Sequence, residues 1–394
     1  MDIKANLWKI YLYKFLSDFY LIVPILIPYY KANDLSSTQI FTVQAAYALS
    51  ILVLEIPSGY LADVIGRKRT LILGAAFLPV GIGIYAFTGT FYSFILAEFV
   101  LAIGNSMRSG CDSAIIYDTL IQMKQESEYK KFEGKSIFFT RVGTSAASIL
   151  GGLLALLTLR VPFYVNIATS ALMLPIALSL LEPKRKKLES ASPFKDILRI
   201  CRFSFTNIQL RFLIIYGALI LSSGVTAVWA YFLYYESLGI SIGYFGILFA
   251  IFQLSSAYGA KKAHVLEKFL GEKKSLFVLL LIAPVFVLLG IIKSIFLIPL
   301  IFFNAFIWGF SAPIFYDLIN RVIKSDIRAT VLSVANMAGS LSFVILSPIF
   351  GKLVDFFSLS RAYIILGIYF FVYGTIALIF RGGVGQEKPR QISK

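Results

Sequence analysis

Among the ionisable side chains that interrupt otherwise apolar runs of this chain are Lys14, Asp18, Glu98, Arg108, Asp112 and Arg141. A charge at the centre of a membrane helix costs ~2.5–3.5 kcal/mol on insertion scales, so each needs a reason. Two kinds of chemistry would supply one. A carboxylate in a low dielectric can take up and release a proton, because desolvation favours its neutral form and a nearby cation its charged form. A charged group there can also hold an oppositely charged solute. Lys14 and Asp18 stand one turn apart, so they can pair on one helix face. Asp18 lies ~18 Å into its run, close to mid-membrane, and is the first choice for proton coupling against a closed Lys14–Asp18 structural pair. Glu98, Asn105 and Asp112 recur every seventh residue, which stacks them on one face. Arg108 lies one turn before Asp112; it or Arg141 can neutralise that carboxylate. Glu98 falls near the outer end of its run, where it meets substrate in a vestibule or is simply hydrated.

The elements that must position these groups follow from composition. The 394 residues are 58% hydrophobic, and the mean hydropathy is +0.80. That excludes an ordinary soluble domain. Apolar runs of about 20 residues recur along the whole length, the pattern of membrane-spanning helices. Twelve are predicted, at 7–30, 38–58, 70–88, 91–118, 135–158, 162–181, 211–234, 243–260, 275–292, 295–318, 331–354 and 361–380. Backbone in lipid must satisfy its own hydrogen bonds, so these are helices and not an open sheet. Pro24 is expected to kink the first.

The formal net charge of +16 does not point to nucleic acid. With the N-terminus in the cytoplasm, the basic residues sort almost entirely to the inner loops and tails. Only Lys31, Arg160, Lys293, Lys352 and Arg361 fall outside. This bias places both termini in the cytoplasm of a plasma (inner) membrane protein. Cys111 and Cys201 have no metal or disulfide spacing, and the N-terminal run lacks the cleavage site of a removable signal. His264 is expected to be solvated.

Between the second and third runs lies Gly59-Tyr60-Leu61-Ala62-Asp63-Val64-Ile65-Gly66-Arg67-Lys68-Arg69-Thr70-Leu71. It is predicted as a tight loop in which Gly59 and Gly66 let backbones approach closely. The spacing resembles the loop motif of the major facilitator superfamily, Gly-x-Leu-x-x-Asp-x-x-Gly-Arg-Lys-x-x-Leu. Seven positions match: Gly59, Leu61, Asp63, Gly66, Arg67, Lys68 and Leu71. Val64 departs, where the family often has a basic residue. The resemblance implies a cytoplasmic charge cluster of Asp63, Arg67 and Asp118 that locks transport states, with Asp317 in the mirrored place beside Lys261, Lys262 or Arg321. Gly143, Gly151 and Gly152 look like a degraded form of the family's antiporter motif; tight helix packing explains them as well. In many members an arginine precedes a glycine of the fourth helix by four residues, and here that position is Val100.

Two halves are legible. At an offset of 199, Asn105, Gly110, Tyr117 and Asp118 match Asn304, Gly309, Tyr316 and Asp317. The expected domains are a six-helix bundle at 1–183, a basic cytoplasmic linker with an amphipathic helix at 184–210, a second bundle at 211–381 and a tail at 382–394. The resemblance implies that helices one, four, seven and ten line the cavity. On the second half that wall is polar and aromatic: Thr226 and Trp229, then Asn304, Trp308, Ser311 and Phe315 at helical spacing. Such aromatic stripes serve packing or a ligand cage. Carboxylates opposite aromatics suit a cationic or amphipathic organic substrate.

The expectation is therefore an all-α membrane protein with twelve spans in two pseudo-symmetric six-helix bundles. It resembles the drug:proton antiporter branch of that superfamily: no enzyme, no metal or cofactor, a proton gradient as driving force. Its partners are a small-molecule substrate, protons and the bilayer, not nucleic acid, and it works as a monomer. Rival readings are a proton-coupled nutrient importer and a carrier of an anionic metabolite or siderophore, in which Lys14, Arg108 and Arg141 bind the solute.

Overall fold

The structure, a computed structural model, describes residues 3–183, 204, 206–323 and 328–382, and every regular element among them is helical. Two compact units emerge. One comprises Met1–Glu189 and Gly239–Ala250, the other Ser190–Leu238 and Ile251–Lys394. The amphipathic linker helix expected near 194–202, Cys201 and the tail beyond 382 lie outside the described residues.

The first unit holds α1 (Ala5–Ser17), α2 (Leu26–Ala32), α3 (Ser37–Ile65), α4 (Arg67–Phe87), α5 (Phe91–Arg108), α6 (Cys111–Gln122), α7 (Tyr129–Ala155), α8 (Val161–Ala171) and α9 (Met173–Ser179). The second holds α10 (Ile208–Ser237), then α11 (Phe245–Leu270), which begins in the first unit. It continues with α12 (Glu272–Val278), α13 (Ile282–Ile291), α14 (Ile298–Val322), α15 (Arg328–Phe356) and α16 (Leu359–Gly382). Helix starts follow local chemistry. Ser36 and Gln39 form a reciprocal capping box on α3, Thr90 and Ser93 do so on α5, and Asn207 Oδ1 accepts from the Gln209 and Leu210 amides of α10.

Among the described residues ten helical stretches are long and apolar enough to cross a membrane. The two expected spans missing from that set are the first and the fourth. Both are present but broken, and with them the twelve-span fold is complete.

The expected loop at 59–71 is corrected. The second span stays helical through Ile65 and the third begins at Arg67, so only Gly66 leaves the helix. Its φ of +104° and ψ of 150° belong to a region open to glycine alone. Gly59 does not serve close approach: a Cβ there would meet nothing within 4 Å. The second unit repeats the hinge at Gly271, φ +77° and ψ 161°, between α11 and α12.

Tyrosines tie the first span of each unit to its third in the same way. Tyr13 Oη donates to the Leu71 carbonyl at 3.2 Å, and Tyr216 Oη to that of Leu276 at 2.9 Å. Further along, Tyr29 Oη donates to the Tyr85 carbonyl at 2.7 Å and Tyr234 Oη to that of Ile292 at 3.1 Å. All four tyrosines are buried. Each apolar ring fills the core while its hydroxyl satisfies a carbonyl that water cannot reach.

Candidate substrate and coupling site

The chemistry of the first unit gathers at the two broken spans. The first breaks after Ser17: Asp18 has left helical geometry, with φ −110° and ψ 16°. Pro24 then opens a 3₁₀ turn, Val23–Ile25, before α2. The fourth breaks at Ser109 and Gly110, and Gly110 adopts φ +75°. Non-helical backbone at membrane depth must find partners. Asn166 of α8 supplies them: its Oδ1 accepts from the Leu21 amide at 3.0 Å and its Nδ2 donates to the Phe19 carbonyl at 3.0 Å. Gly143 and Gly151 of α7 face the same segment. A Cβ on either would collide with the carbonyl oxygens of Phe15 and Leu21. That is a packing role for the glycines that resemble the antiporter motif.

The breaks decide which charges meet. Lys14 and Arg108 sit in the last turns of α1 and α5, and Asp112 in the first turn of α6. Each sign complements the half-helix dipole at its position. The alternative of a closed Lys14–Asp18 pair is not formed, because the helix ends between them and the one-turn rule no longer applies. Arg108 takes Asp18 instead: Nη2 lies 3.0 Å from Oδ1, Nη1 donates to Ser17 Oγ at 2.5 Å and Nη2 to Asn105 Oδ1 at 3.2 Å. Asn105 Nδ2 in turn donates to Tyr20 Oη at 2.9 Å. Lys14 crosses to α6 and α7, with Nζ 3.5 Å from Asp112 Oδ2, 3.1 Å from Glu133 Oε1 and 3.2 Å from Ser113 Oγ. Arg108 therefore does not neutralise Asp112, since the turn at Gly110 separates them. It also takes Asp112 out of the seven-residue stack with Glu98 and Asn105. Arg141 is exposed and makes no ion pair among the described residues.

Glu98, expected at the outer vestibule or in water, is buried, 5% exposed. Its Oε1 accepts from Tyr85 Oη at 2.6 Å and from Tyr30 Oη at 3.4 Å.

Of the expected charge cluster, Arg67 and Asp118 meet, and Glu182 joins Arg67. Arg67 Nη1 lies 2.5 Å from Asp118 Oδ2, tying α4 to α6. Glu182, just past α9, caps α4: its oxygens accept from the Arg67 amide at 2.9 Å and the Lys68 amide at 2.7 Å. Asp63 is exposed on the last turns of α3. In the second unit Asp317 pairs with Arg321, one turn along the same helix, and Arg321 reaches Glu267 at 3.7 Å.

The corresponding place in the second unit is uncharged. Asn304 Nδ2 donates to Tyr231 Oη at 2.6 Å, and both residues are buried. Trp308 is half-buried and stands 6.3 Å from the Phe252 ring, while half-buried Trp229 is 6.3 Å from Phe232. Sequence reasoning missed Glu133, Asn166 and Glu182. Glu133 and Glu182 sit at span ends, where charge is unremarkable. Asn166 carried a signal: it is the one amide side chain inside the run 162–181.

Several solved structures of transporters resemble this chain in fold. A variant of the nucleoside transporter NupG superposes with a TM-score of 0.82 at 16% identity, covering 96% of this chain and 99% of that one. A POT family transporter in complex with 5-aminolevulinic acid gives 0.74 at 14%, covering 96% of each. A bacterial homologue of the human lysosomal transporter Spinster, inward-facing and unoccupied, gives 0.72 at 16%, covering 96% and 95%. No curated protein matches the sequence. The family model of the Major Facilitator Superfamily matches residues 15–345. The twelve helical spans, the Gly66 hinge and the Arg67–Asp118 pair thus belong to a chain that is a member of the Major Facilitator Superfamily, a transporter and not an enzyme.

Proposed function

We infer that this transporter is a proton-coupled antiporter. It exports small organic compounds, cationic or amphipathic, from a cytoplasm that holds both its termini, and it works as a monomer in the plasma (inner) membrane. One observation carries the reading. Asp18, at the break of the first span, has Arg108 as its charged partner and keeps 29% of its side chain exposed. A carboxylate so placed accepts a proton or a cationic group, not both, and mutually exclusive binding is the negative coupling that exchange requires. Arg108 holds the emptied carboxylate between the two events. Gly59, Asp63, Gly66, Arg67, Lys68 and Asp118 form the cluster that locks states.

Arg108 Nη1 and Nη2 already serve Ser17, Asp18 and Asn105, so an anionic solute that takes those two nitrogens displaces their acceptors; the buried Nε has no acceptor.

Everted vesicles with an acid interior, reported by a pH dye, test the proposal. A panel of lipophilic cations, neutral amphiphiles and organic anions is added. A cation that collapses the gradient with wild type but not with Asp18→Asn supports antiport through Asp18. Collapse by anions alone, or by nothing while the protein is shown to be folded, turns the reading toward anion carriage or nutrient import.

A further inference from the structure

The Asp18–Arg108 pair leaves one buried carboxylate of the first unit without a role. Glu98 stands in the middle of α5, and its neighbours come from four elements. Tyr30 reaches it from α2, Tyr85 from α4, and Gln44 of α3 donates Nε2 to Tyr30 Oη at 3.0 Å. Tyr30 Oη and Tyr85 Oη are 2.5 Å apart. Phe94, one turn back on α5, closes the pocket against the Tyr85 ring at 5.1 Å and the Tyr30 ring at 5.2 Å. Arg108 is on the same helix but is engaged with Asp18. Among the described residues no lysine, arginine or histidine forms an ion pair with Glu98.

The carboxylates beside the two breaks have a cation within 4 Å: Asp18 has Arg108, and Asp112 and Glu133 have Lys14. Glu55, in the second span, has no such ion pair among the described residues but is exposed. Glu98 has hydroxyls and an amide instead. An anion there would be desolvated with only neutral hydrogen bonds to hold it, whereas a carboxylic acid fits the same pocket at far lower cost. Gln44 donates to Tyr30, Tyr30 can donate to Tyr85, and Tyr85 donates to Glu98 Oε1, so the polar atoms form one directed chain that ends on the carboxyl in either of its protonation states.

We propose that Glu98 is a second proton-binding site of this transporter, built inside the helix packing of the first unit and distinct from the Asp18–Arg108 pair. The ligand is the proton itself, delivered to Oε1 or Oε2. It acts by changing how α2, α3 and α4 pack on α5, through the tyrosine chain, and not by meeting substrate. The inference deepens the proton-coupled reading, but its test needs no substrate.

Infrared spectra of the purified full chain in lipid nanodiscs, taken across a pH series, read protonated carboxyl groups directly through their C=O stretch. The expected result is a titrating band that shifts in heavy water, is lost in Glu98→Gln and persists in Asp18→Asn. Tyr85→Phe, which removes the closest donor, moves the band to higher frequency and keeps the fold testable should Glu98→Gln fail to assemble. A band untouched by Glu98→Gln and Tyr85→Phe, or no such band at any pH, overturns the proposal. The vesicle assay fails independently: a Glu98 band with no Asp18-dependent flux sinks antiport and leaves the proton site standing.

Discussion

The two units share a scaffold and differ in chemistry. Both tie the first span to the third with tyrosine hydroxyls, and both turn between the second and third spans on a glycine that no other residue can replace without strain. They part at the spans that begin each unit and stand fourth in it. In the first unit both are broken, and Lys14, Asp18, Arg108 and Asp112 occupy the broken ends. In the second, α10 runs unbroken for 30 residues and α14 for 25. Their polar contact is the neutral Asn304–Tyr231 pair. A helix break creates dipole ends inside the membrane, and ends attract charge. Duplication supplied the frame twice; the breaks placed ionic chemistry in one copy.

Removing the charge on one side of a break should have the largest effect. Arg108→Leu strands Asp18, Ser17 and Asn105. Breaking a buried pair costs about 3–5 kcal/mol, and the partial exposure of both side chains puts this case at the lower end. Thermal unfolding in detergent should fall accordingly, while Asn304→Leu in the second unit, which leaves only a tyrosine hydroxyl, should cost about 1–3 kcal/mol. Adding Asp18→Asn to Arg108→Leu should restore much of the loss. Equal losses for Arg108→Leu and Asn304→Leu would erase the contrast between the units. Next comes Asn166→Leu, which orphans the Leu21 amide and the Phe19 carbonyl at about 1–3 kcal/mol for each group left dry. Hydrogen exchange at Leu21 would report it residue by residue.

Much of this was legible. Charge placement and apolar periodicity gave twelve spans, and the motif from Gly59 to Leu71 gave the family and the Arg67–Asp118 pair. The pairings within the membrane were not. They were assigned by the rule that neighbours lie one turn apart, which presumes an intact helix. Ser109-Gly110 and Pro24 marked both breaks in the sequence, but a break changes the partner of every charge beside it. Glu133, Glu182 and Asn166 each act across 115 residues or more, Glu133 on Lys14, Glu182 on Arg67 and Asn166 on Leu21, and no local spacing reports such contacts.

The hinges sharpen the comparison further. Alanine at Gly66 or Gly271 meets the same backbone strain, about 1–3 kcal/mol. Only at Gly66 does the added Cβ also press on the Glu182 carboxylate, 3.1 Å away; at Gly271 it meets open space. Gly66→Ala should therefore lower the unfolding temperature more than Gly271→Ala, and Glu182→Ala should narrow the gap.

The smallest effect is expected at the mirrored charge pairs. Arg321 and Asp317 are 56% and 47% exposed and one turn apart on α14, so Arg321→Gln should change stability by about 0.5 kcal/mol or less. Arg67 and Asp118 are 20% and 11% exposed and join two helices. Arg67→Gln leaves Asp118 largely dry and should cost more than the exposed pair does. If the two substitutions prove equal in unfolding and in transport, the Tyr-Asp repeat at 117–118 and 316–317 marks a shared helix end and nothing else. A selective loss of flux in Arg67→Gln would instead mean that the close Arg67–Asp118 pair between two helices acts as a lock, whereas Arg321, paired with Asp317 on its own helix and 3.7 Å from Glu267 of α11, does not. A pair within one helix moves as a body and cannot report a change of state; a pair between helices breaks when they part.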